Sequence, residues 1–251
     1  MTLTQSTKNL IARISERPFI GAAAGRFFND EIPSRGFRFH TQGLEHQTKA
    51  RLLLRTYESA EIRAVQRHLR RDLDVIEVGA GIGVLSCHIR RHIDSGRHLY
   101  CIDANPEAAA MIKNNLNLNG LTAGVTVVNA AMAHVAGRVR FVRGTTVIDG
   151  RIAEDRCPCE HPLIPAVTLE HLVTQFALRQ YALVCDIEGS EAAIITDDSA
   201  AIKNCAQIIM ELHNITYFGR QYHPDDILSS LQRLSFSLQT RHGNVCVLNR
   251  S

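Results

Sequence analysis

The chain has 251 residues, of which 45% are hydrophobic, and a formal net charge of +3. A chain of this length and composition can bury one substantial core and is too apolar for wholesale disorder. No run approaches the ~20 apolar residues that a membrane span needs, and the start of the chain lacks the apolar segment of a signal peptide. We therefore expect a cytoplasmic protein with no membrane partner.

The cysteines indicate a reducing compartment. There are seven, an odd number, and most lie in or beside apolar segments, which favours free buried thiols. The group Cys157-Pro-Cys159-Glu-His161 has residue types that ligate zinc. A structural zinc site needs four ligands, and no second cluster of such residues is visible, so we interpret this group as a loop.

Arginine carries most of the positive charge, and four arginines fall within Glu61–Arg71 (Arg63, Arg67, Arg70 and Arg71). Apolar residues recur at helical spacing on another face of this segment, and no aromatic residues are interleaved with the arginines. The pattern predicts a solvated helix face. We therefore expect no nucleic-acid partner.

The first part of the chain differs from the rest, so we divide it into an N-terminal extension or lid, residues 1–54, and a main domain, residues 55–251. Within the extension, Asn9–Ser15 is weakly helical, and Arg26–His40 carries four phenylalanines together with Pro33 and Gly36. This composition predicts irregular packing against the main domain.

From about residue 55, short apolar stretches alternate with helical patterns. In chain order, the predicted strands are Asp74–Val78, His98–Ile102, Val125–Asn129, Tyr181–Ile187, Ala206–Leu212, Phe236–Thr240 and Asn244–Leu248. The predicted helices are Gly83–Ile93, Asn105–Leu116, Thr168–Ala177 and Asp225–Leu234. Between the third and fourth strands, Gly137–Arg143 and Thr145–Ile148 are expected to form a small hairpin.

This alternation predicts an α/β protein with a doubly wound, Rossmann-like sheet. We expect seven strands, mostly parallel, because helices cover both faces of such a sheet. The turn Arg241-His-Gly243 between the last two strands has hairpin length, so the last strand should be antiparallel.

A glycine-rich turn follows the first predicted strand of the main domain, in Val75-Ile-Glu-Val-Gly-Ala-Gly-Ile-Gly83. Gly79 permits a tight turn out of the strand. Gly81 allows a ligand to approach the backbone, and Gly83 allows the following helix to pack close to the strand. Because ligands of open α/β sheets bind beyond the carboxyl ends of the strands, this turn predicts a site for a nucleoside-like ligand.

The turn could bind either a dinucleotide or S-adenosylmethionine. A third interpretation, a purely structural strand–turn–helix, also remains. A dinucleotide site prefers the spacing G-x-G-x-x-G, whereas the spacing here is G-x-G-x-G. Glu77 would repel a pyrophosphate but suits a ligand with an ammonium or sulfonium group. Asp103, at the end of the second strand, can accept hydrogen bonds from ribose hydroxyls. Glu77 and the glycine spacing therefore favour S-adenosylmethionine.

The sequence resembles a class I S-adenosylmethionine-dependent methyltransferase, and specifically the FkbM type. The resemblance covers about Tyr57 to Ile215. Besides the glycine-rich turn, it is carried by Cys101-Ile-Asp-Ala-Asn-Pro106, Val127-Val-Asn-Ala-Ala131, Val167-Thr-Leu-Glu-His-Leu172, Val184-Cys-Asp-Ile-Glu-Gly-Ser-Glu191 and Ile208-Ile-Met-Glu-Leu-His213. Glu170 departs from the aspartate that the family often has.

The resemblance implies a role for each matching position. Glu77 would meet the amino group of the methionine part of the cofactor. The turn would line the methionine and ribose, Asp103 would hold the ribose, and Tyr57-Glu58 would close over the methionine end or cap a helix. The cofactor-binding residues implied are Tyr57, Glu77, Gly79, Ala80, Gly81, Gly83, Asp103, Ala104, Asn129, Ala130 and Asp186.

Acidic residues and a histidine follow the fourth and fifth strands of the main domain. Asp186, Glu188, Glu211 and His213 are the predicted catalytic residues, because a hydroxyl acceptor needs its proton removed or polarised. They could also hold a divalent metal or only tie the strand ends together. We favour base or substrate-orienting roles and expect no metal. Glu191 is expected to cap the following helix.

The predicted function is O-methylation of a small hydroxylated metabolite, such as a sugar or a natural-product intermediate. A second hypothesis is a cyclase of the azetidine-2-carboxylate synthase kind, which consumes the cofactor and releases methylthioadenosine. In that case Phe27, Phe28, Phe37 and Phe39 would surround the sulfonium by cation–π contact, although ordinary core packing is the favoured interpretation of these residues. A third hypothesis is a regulatory cofactor-binding module. The expected partner is a small-molecule substrate, with a homodimer left open.

Overall fold

In a computed structural model of the chain, the structure describes residues 18–144, 146–148, 150–152, 161–187, 191–196, 199–217 and 219–251. The helices are Pro18–Phe27 (α1), His46–Leu53 (α2), Ser59–His68 (α3), Val84–His92 (α4), Pro106–Leu118 (α5), Leu169–Gln175 (α6), Glu191–Thr196 (α7), Ser199–Ile202 (α8) and Pro224–Arg233 (α9).

The strands fall into one large sheet and three small ones. Their bounds are Glu31–Ser34 (β1), Phe37–His40 (β2), Asp74–Val78 (β3), Leu99–Asp103 (β4), Val125–Asn129 (β5), Ala131–Met132 (β6), Gly137–Arg143 (β7), Gly150–Ile152 (β8), Leu163–Val167 (β9), Tyr181–Cys185 (β10), Cys205–Glu211 (β11), Ile215–Tyr217 (β12), Arg220–Tyr222 (β13), Phe236–His242 (β14) and Val245–Arg250 (β15).

The large sheet has seven strands in the order β14-β15-β11-β10-β3-β4-β5. From β11 to β5 all neighbours pair in parallel, and β15 is antiparallel to both β11 and β14. The predicted doubly wound, mostly parallel sheet with an antiparallel last strand is confirmed. Strand order reverses at β3, so the carboxyl ends of β3 and β10 meet where such folds bind ligands.

The sheet is buried on both faces because its strands are continuous apolar runs. In β3, Ile76 and Val78 pack into the cluster on one face, and Val75 packs into the cluster on the other. Val75 and Ile76 are fully buried. Burial on both faces is typical of parallel strands covered by helices, and it fixes the strand ends that carry the polar residues of the site.

The N-terminal extension is more regular than its composition predicts. Arg26–His40, expected to be irregular, contains the end of α1 and the antiparallel hairpin β1–β2. The hairpin docks on α5, where the backbone NH of His40 donates to Asn115 Oδ1 at 2.7 Å and that of Arg38 donates to Asn119 Oδ1 at 3.0 Å. The weakly helical stretch 9–15 lies outside the described residues.

The excursion between β5 and β10 also differs from expectation. The predicted partner of β7 was Thr145–Ile148, but β7 pairs with β8, with Arg143 opposite Gly150, and with β9 on its other side. Residues 146–148 form a turn instead of a strand, and residue 145 lies outside the described part. The loop is therefore longer than predicted, and its tip reaches the functional site.

Five cysteines are free and buried, on α4 (Cys87) and on the strands β4, β10, β11 and β15 (Cys101, Cys185, Cys205 and Cys246). Cys157 and Cys159 lie outside the described residues. Among the residues that are described, helices are too short or too polar to cross a bilayer.

Candidate functional site

A cavity of about 460 Å³ opens at the carboxyl ends of β3, β4, β10 and β11. The carboxylates of the lining are Glu58, Glu61, Asp103, Asp186 and Glu211, and its apolar side chains include Ile102, Phe141, Val147, Ile148 and Ile152. Arg51 and Arg151 also line the cavity. We name the part with Glu58, Glu61, Asp186 and Glu211 the acidic end and the part with the apolar side chains the apolar end. The size is within the usual range for small-molecule sites, about 300–1,000 Å³. The cavity lies where the strand order reverses, as the sequence predicts.

The glycine-rich turn forms the floor of this cavity. Gly79 has φ +79°, and a Cβ there would lie 1.8 Å from the carbonyl oxygen of Asp186, so only glycine lets the ends of β3 and β10 approach this closely. Gly81 has φ +54°, and its nearest neighbour in the direction of a Cβ is the Tyr57 hydroxyl, at 3.5 Å. Gly83 was expected to let the following helix pack close to the strand, but the close neighbour is Ile112 of α5, whose Cα would lie 3.0 Å from a Cβ on Gly83.

Glu77, expected to face the cofactor's amino group, lies beneath the turn and is 2% exposed. Its Oε2 accepts a hydrogen bond from the Ser86 hydroxyl at 2.6 Å, whereas Oε1 is buried and the Cys101 thiol beside the carboxyl group is only a weak donor. Burial raises the pKa of Glu77 to about 7, against the lowering effect of the Ser86 hydroxyl. Ala80 is similarly buried, and neither residue lines the cavity.

Asp103 joins the glycine-rich turn to the loop after β4. Its Oδ2 accepts from the backbone NH of Gly81 and its Oδ1 from that of Asn105, both at 2.8 Å. Burial raises the pKa of Asp103 to about 6. The side chain still lines the cavity, together with Ala104 and Ala130.

Asn129 supports this end of the sheet from behind. Its Nδ2 donates to the backbone carbonyls of Asp103 at 2.9 Å and Ala104 at 3.1 Å. It does not line the cavity. The structure therefore places Asn129 where it orients two cavity residues.

The pair Tyr57-Glu58 covers the acidic end of the cavity. Glu58 has φ +46° and accepts a hydrogen bond from the backbone NH of Leu85 at 2.9 Å, in the first turn of α4. Burial, followed by the Asp186 carboxylate, raises the pKa of Glu58 well above its usual value. The two alternatives for this pair, closing over the site and capping a helix, are thus combined in one geometry.

Three of the four predicted catalytic residues converge beside the cavity, since one ligand atom each of Asp186, Glu211 and His213 lies within 4.8 Å of the others. The fourth, Glu188, lies outside the described residues. His213 Nε2 is 3.8 Å from Asp186 Oδ1. Glu61 of α3 is hydrogen-bonded to Glu211, and burial and this neighbour raise the pKa of Glu61.

Glu191 orients the histidine. It begins α7, as expected of a capping residue, but its fully buried carboxylate also bonds to His213 Nδ1 at 2.7 Å. This hydrogen bond, more than any other cause, raises the pKa of His213 to about 9. The imidazole is therefore held with Nε2 directed toward Asp186. The same three atoms of Asp186, Glu211 and His213 are of the types that bind divalent cations, which requires a neutral imidazole.

The loop between β7 and β8 covers the apolar end of the cavity, and sequence reasoning did not identify it. Asn105 Nδ2 donates to the carbonyl of Val147 at 2.7 Å, which holds the loop against the start of α5. Ile148 reaches over the turn, 3.9 Å from where a Cβ on Gly81 would lie. The phenylalanines proposed to surround a sulfonium do not line the cavity. Phe37 and Phe39 are buried in the core, and Phe27 is exposed.

The comparisons with known proteins agree with this geometry. Residues 49–153 match the model of the TRM5/TYW2 methyltransferase domain, and no curated protein matches the chain. Solved structures with a similar fold include a ribosomal protein L11 methylase from Lactobacillus delbrueckii subsp. bulgaricus, with 14% identity, a TM-score of 0.43 and coverage of 77% of this chain and 78% of that one.

Two further structures are of enzymes described as acting on RNA. The 23S rRNA methyltransferase ErmE has 17% identity and a TM-score of 0.43, covering 76% of this chain and 67% of its own. Sp1610 of Streptococcus pneumoniae, a proposed tRNA (m1A22) methyltransferase, was solved in complex with S-adenosylmethionine. It has 12% identity and a TM-score of 0.44, covering 77% of this chain and 73% of its own.

The chain has the Rossmann-like fold that class I S-adenosylmethionine-dependent methyltransferases share, with a cavity at the switch point of the sheet, and residues 49–153 match a methyltransferase domain model. The residues fit this cofactor: the acidic end suits its ammonium and sulfonium charges, Asp103 stands where a ribose would lie, and the apolar end suits an adenine. The expectation of no nucleic-acid partner is wrong, because similar structures include enzymes described as rRNA and tRNA methyltransferases.

Proposed function

We propose that this methyltransferase acts on a hydroxyl group of its acceptor, with Asp186 accepting the hydroxyl proton. The observation that carries the proposal is the group of Asp186, Glu211 and His213 at the acidic end of the cavity. When bound, the cofactor supplies a methyl group on a sulfonium. The residues of the chain have to align the acceptor, exclude water and take up one proton.

A carboxylate is a sufficient proton acceptor in this role. The attacking oxygen becomes strongly acidic as it forms a bond to carbon, so the proton leaves late and needs only a nearby base. Asp186 lines the cavity, and His213 beside it carries a positive charge at neutral pH. That charge lies beside the carboxylate, with His213 Nε2 3.8 Å from Asp186 Oδ1. Glu191 then serves as a positioning residue, because it fixes the imidazole from the buried side.

The class of acceptor is proposed from resemblance to other proteins, whereas the role of Asp186 is proposed from the cavity itself. The resemblance to the FkbM type favours a small hydroxylated metabolite, such as a sugar or a natural-product intermediate. The RNA methyltransferases among the similar structures make RNA the other class to assay. Both classes offer hydroxyl groups, so the role of Asp186 is the same for either.

The test is a methyl-transfer assay with labelled cofactor and two acceptor panels, hydroxylated metabolites and total RNA. We expect acceptor-dependent formation of S-adenosylhomocysteine. Asp186→Asn should lower kcat by about 10²–10⁴-fold, the usual contribution of a positioned base. Its cofactor affinity should stay within about threefold, because the shape is retained. The matched control is Asp94→Asn, which removes an exposed carboxylate that forms an ion pair with Arg71 at 3.4 Å.

Two outcomes would contradict the proposal. Full turnover by Asp186→Asn would remove Asp186 from the chemistry. Accumulation of methylthioadenosine without any acceptor would show that the cofactor is itself the substrate, as in the cyclase hypothesis.

A further inference from the structure

A second cavity, of about 480 Å³, lies between the β1–β2 hairpin and the end of α2. Arg35, Arg38 and Arg55 line it together with Asn119, and we name it the arginine pocket. None of its lining residues lines the cofactor cavity. The described residues of this pocket therefore form a site separate from the methyltransferase centre.

Most of the positive charge at the arginine pocket has no ion-pair partner among the described residues. Arg38 pairs with Glu31, but Arg35, Arg55 and the adjacent Arg63 have no carboxylate within ion-pair distance among the described residues. Burial, followed by Arg63 and Arg55, lowers the pKa of Arg35. Like charges placed this close repel one another.

The guanidinium of Arg35 is also incompletely hydrogen-bonded. One terminal nitrogen donates to the carbonyl of Arg55, whereas Nε is buried and lacks a partner among the described residues. A buried donor without an acceptor costs about 1–3 kcal/mol.

Arg91 adds a positive charge beside the arginine pocket, and the buried His88 next to it stays neutral. The Arg91 guanidinium lies 3.6 Å over the Phe37 ring and donates to the Gly36 carbonyl at 3.2 Å. His88 is 5% exposed, and its Nε2 has no partner among the described residues. Burial, followed by Arg35 and Arg91, lowers the pKa of His88 to about 4, so the imidazole stays neutral.

The backbone holds two of the three pocket arginines in a conformation that side chains with a Cβ rarely adopt. Arg35 has φ +49° and Arg55 has φ +59°. The left-handed region costs a residue with a Cβ roughly 1–2 kcal/mol, and in a hairpin turn followed by glycine, asparagine is the preferred residue. Two strained arginines that meet across a pocket are not explained by local structure.

We propose that the arginine pocket binds a phosphate-type oxyanion between the guanidinium groups of Arg35 and Arg55. Guanidinium groups recognise phosphate by paired, charge-assisted hydrogen bonds. The oxyanion would accept from terminal nitrogens of the Arg35 and Arg55 guanidinium groups, which line the pocket, and would offset the repulsion among Arg35, Arg55 and Arg63. No covalent step is involved, and the proposal does not depend on the acceptor of methyl transfer.

This oxyanion has two possible sources, a free phosphate or phosphomonoester and the phosphodiester backbone of RNA. Arg55 is followed directly by Thr56 and Tyr57, which line the cofactor cavity. A backbone phosphate held at Arg55 would thus lie near the edge of that cavity.

The test measures binding by the full chain without cofactor. Inorganic phosphate is titrated by calorimetry, and a fluorescein-labelled RNA oligonucleotide of mixed sequence is titrated by anisotropy at two salt concentrations. The variants are Arg35→Asn and Arg55→Asn, because asparagine suits a positive φ and both variants should fold at least as well as the parent. Arg67→Gln, exposed on α3 outside the pocket, is the control.

We expect phosphate, RNA or both to bind, and each asparagine variant to bind about tenfold or more weakly, while Arg67→Gln is unchanged. If RNA is the source, each pocket variant should also reduce the slope of log affinity against log salt concentration by about one, because one phosphate contact is lost. Three results would overturn the proposal: neither probe binds, Arg35→Asn keeps full affinity although its melting temperature shows that it is folded, or Arg67→Gln weakens binding as much as the pocket variants.

Discussion

Single carboxyl groups in this protein behave according to their burial. Glu77 lies beneath the glycine-rich turn, where its carboxyl group accepts a hydrogen bond from Ser86 and is otherwise near only the weak thiol donor of Cys101. Its pKa of about 7 exceeds the ordinary value of 4.5. Between pH 4.5 and about 7, Glu77 therefore keeps its proton in the folded protein, whereas it has lost the proton in the unfolded chain.

This shift predicts a pH dependence of stability. Because the folded pKa is the higher one, the free energy of unfolding should fall as pH rises from about 4.5 to about 7. Glu77→Gln should remove this contribution and stabilise the protein at pH values above that range by roughly 1–3 kcal/mol. Urea unfolding of both proteins across the range measures the difference. A difference that does not change with pH would show that Glu77 does not titrate there.

Glu58 predicts a second effect at this scale. Its carboxylate accepts from Leu85 NH and lines the acidic end of the cavity. Glu58→Gln keeps the hydrogen-bond acceptor but removes the carboxyl group that a bound cation would ionise, so affinity for S-adenosylmethionine should fall about tenfold with little loss of stability. Calorimetric titration measures this, with Asp94→Asn as the control. Unchanged affinity would mean that Glu58 only caps α4.

At the residue scale, the sequence was sufficient to predict the polar residues at the strand ends but not the side chains that contact them. Asp103, Asp186, Glu211 and His213 could be identified because parallel strands bring their carboxyl ends to one edge of a sheet. Glu61 could not, because the packing of α3 against β11 sets its contact with Glu211, and no local pattern encodes that packing. The pairing of Glu191 with His213 was missed for the same reason.

At the scale of elements, strands with strong local signals were the most predictable. The predictions for β3 and β5 coincide with the observed bounds, because apolar β-branched runs end there at polar or glycine residues. The strands β1, β2 and β8 have three or four residues each and were missed or misplaced. Such short strands depend on contacts distant in sequence, such as those of β2 with α5.

The junction of β3 and β10 offers a test of close packing. A Cβ at Gly79 would lie 1.8 Å from the Asp186 carbonyl, whereas Gly43, with φ +81°, has open space around it. Both alanine variants carry the cost of a positive φ. Gly79→Ala should lose a further 1–3 kcal/mol, roughly, by overpacking, and should also lose cofactor binding. Thermal unfolding of both variants measures this, and equal destabilisation would contradict the close approach.

At the scale of the whole molecule, the cofactor cavity draws residues from both halves of the sheet, with Asp103 from one half and Asp186 from the other. A ligand bound there should stabilise the entire fold. At a hundredfold excess over Kd the gain is about 2.7 kcal/mol, which raises Tm by about 5–10 °C for a chain of this size. Differential scanning fluorimetry with S-adenosylmethionine tests this. A shift with a nicotinamide dinucleotide and none with S-adenosylmethionine would contradict the assigned cofactor.

The buried thiols give the protein an internal reporter. Cys87, Cys101, Cys185, Cys205 and Cys246 are spread over one helix and four strands, and burial raises the pKa of each. An alkylating reagent can modify each of them only when its own element opens. Mass spectrometry of the labelled peptides would therefore time the opening of α4, β4, β10, β11 and β15 separately, without a single introduced probe.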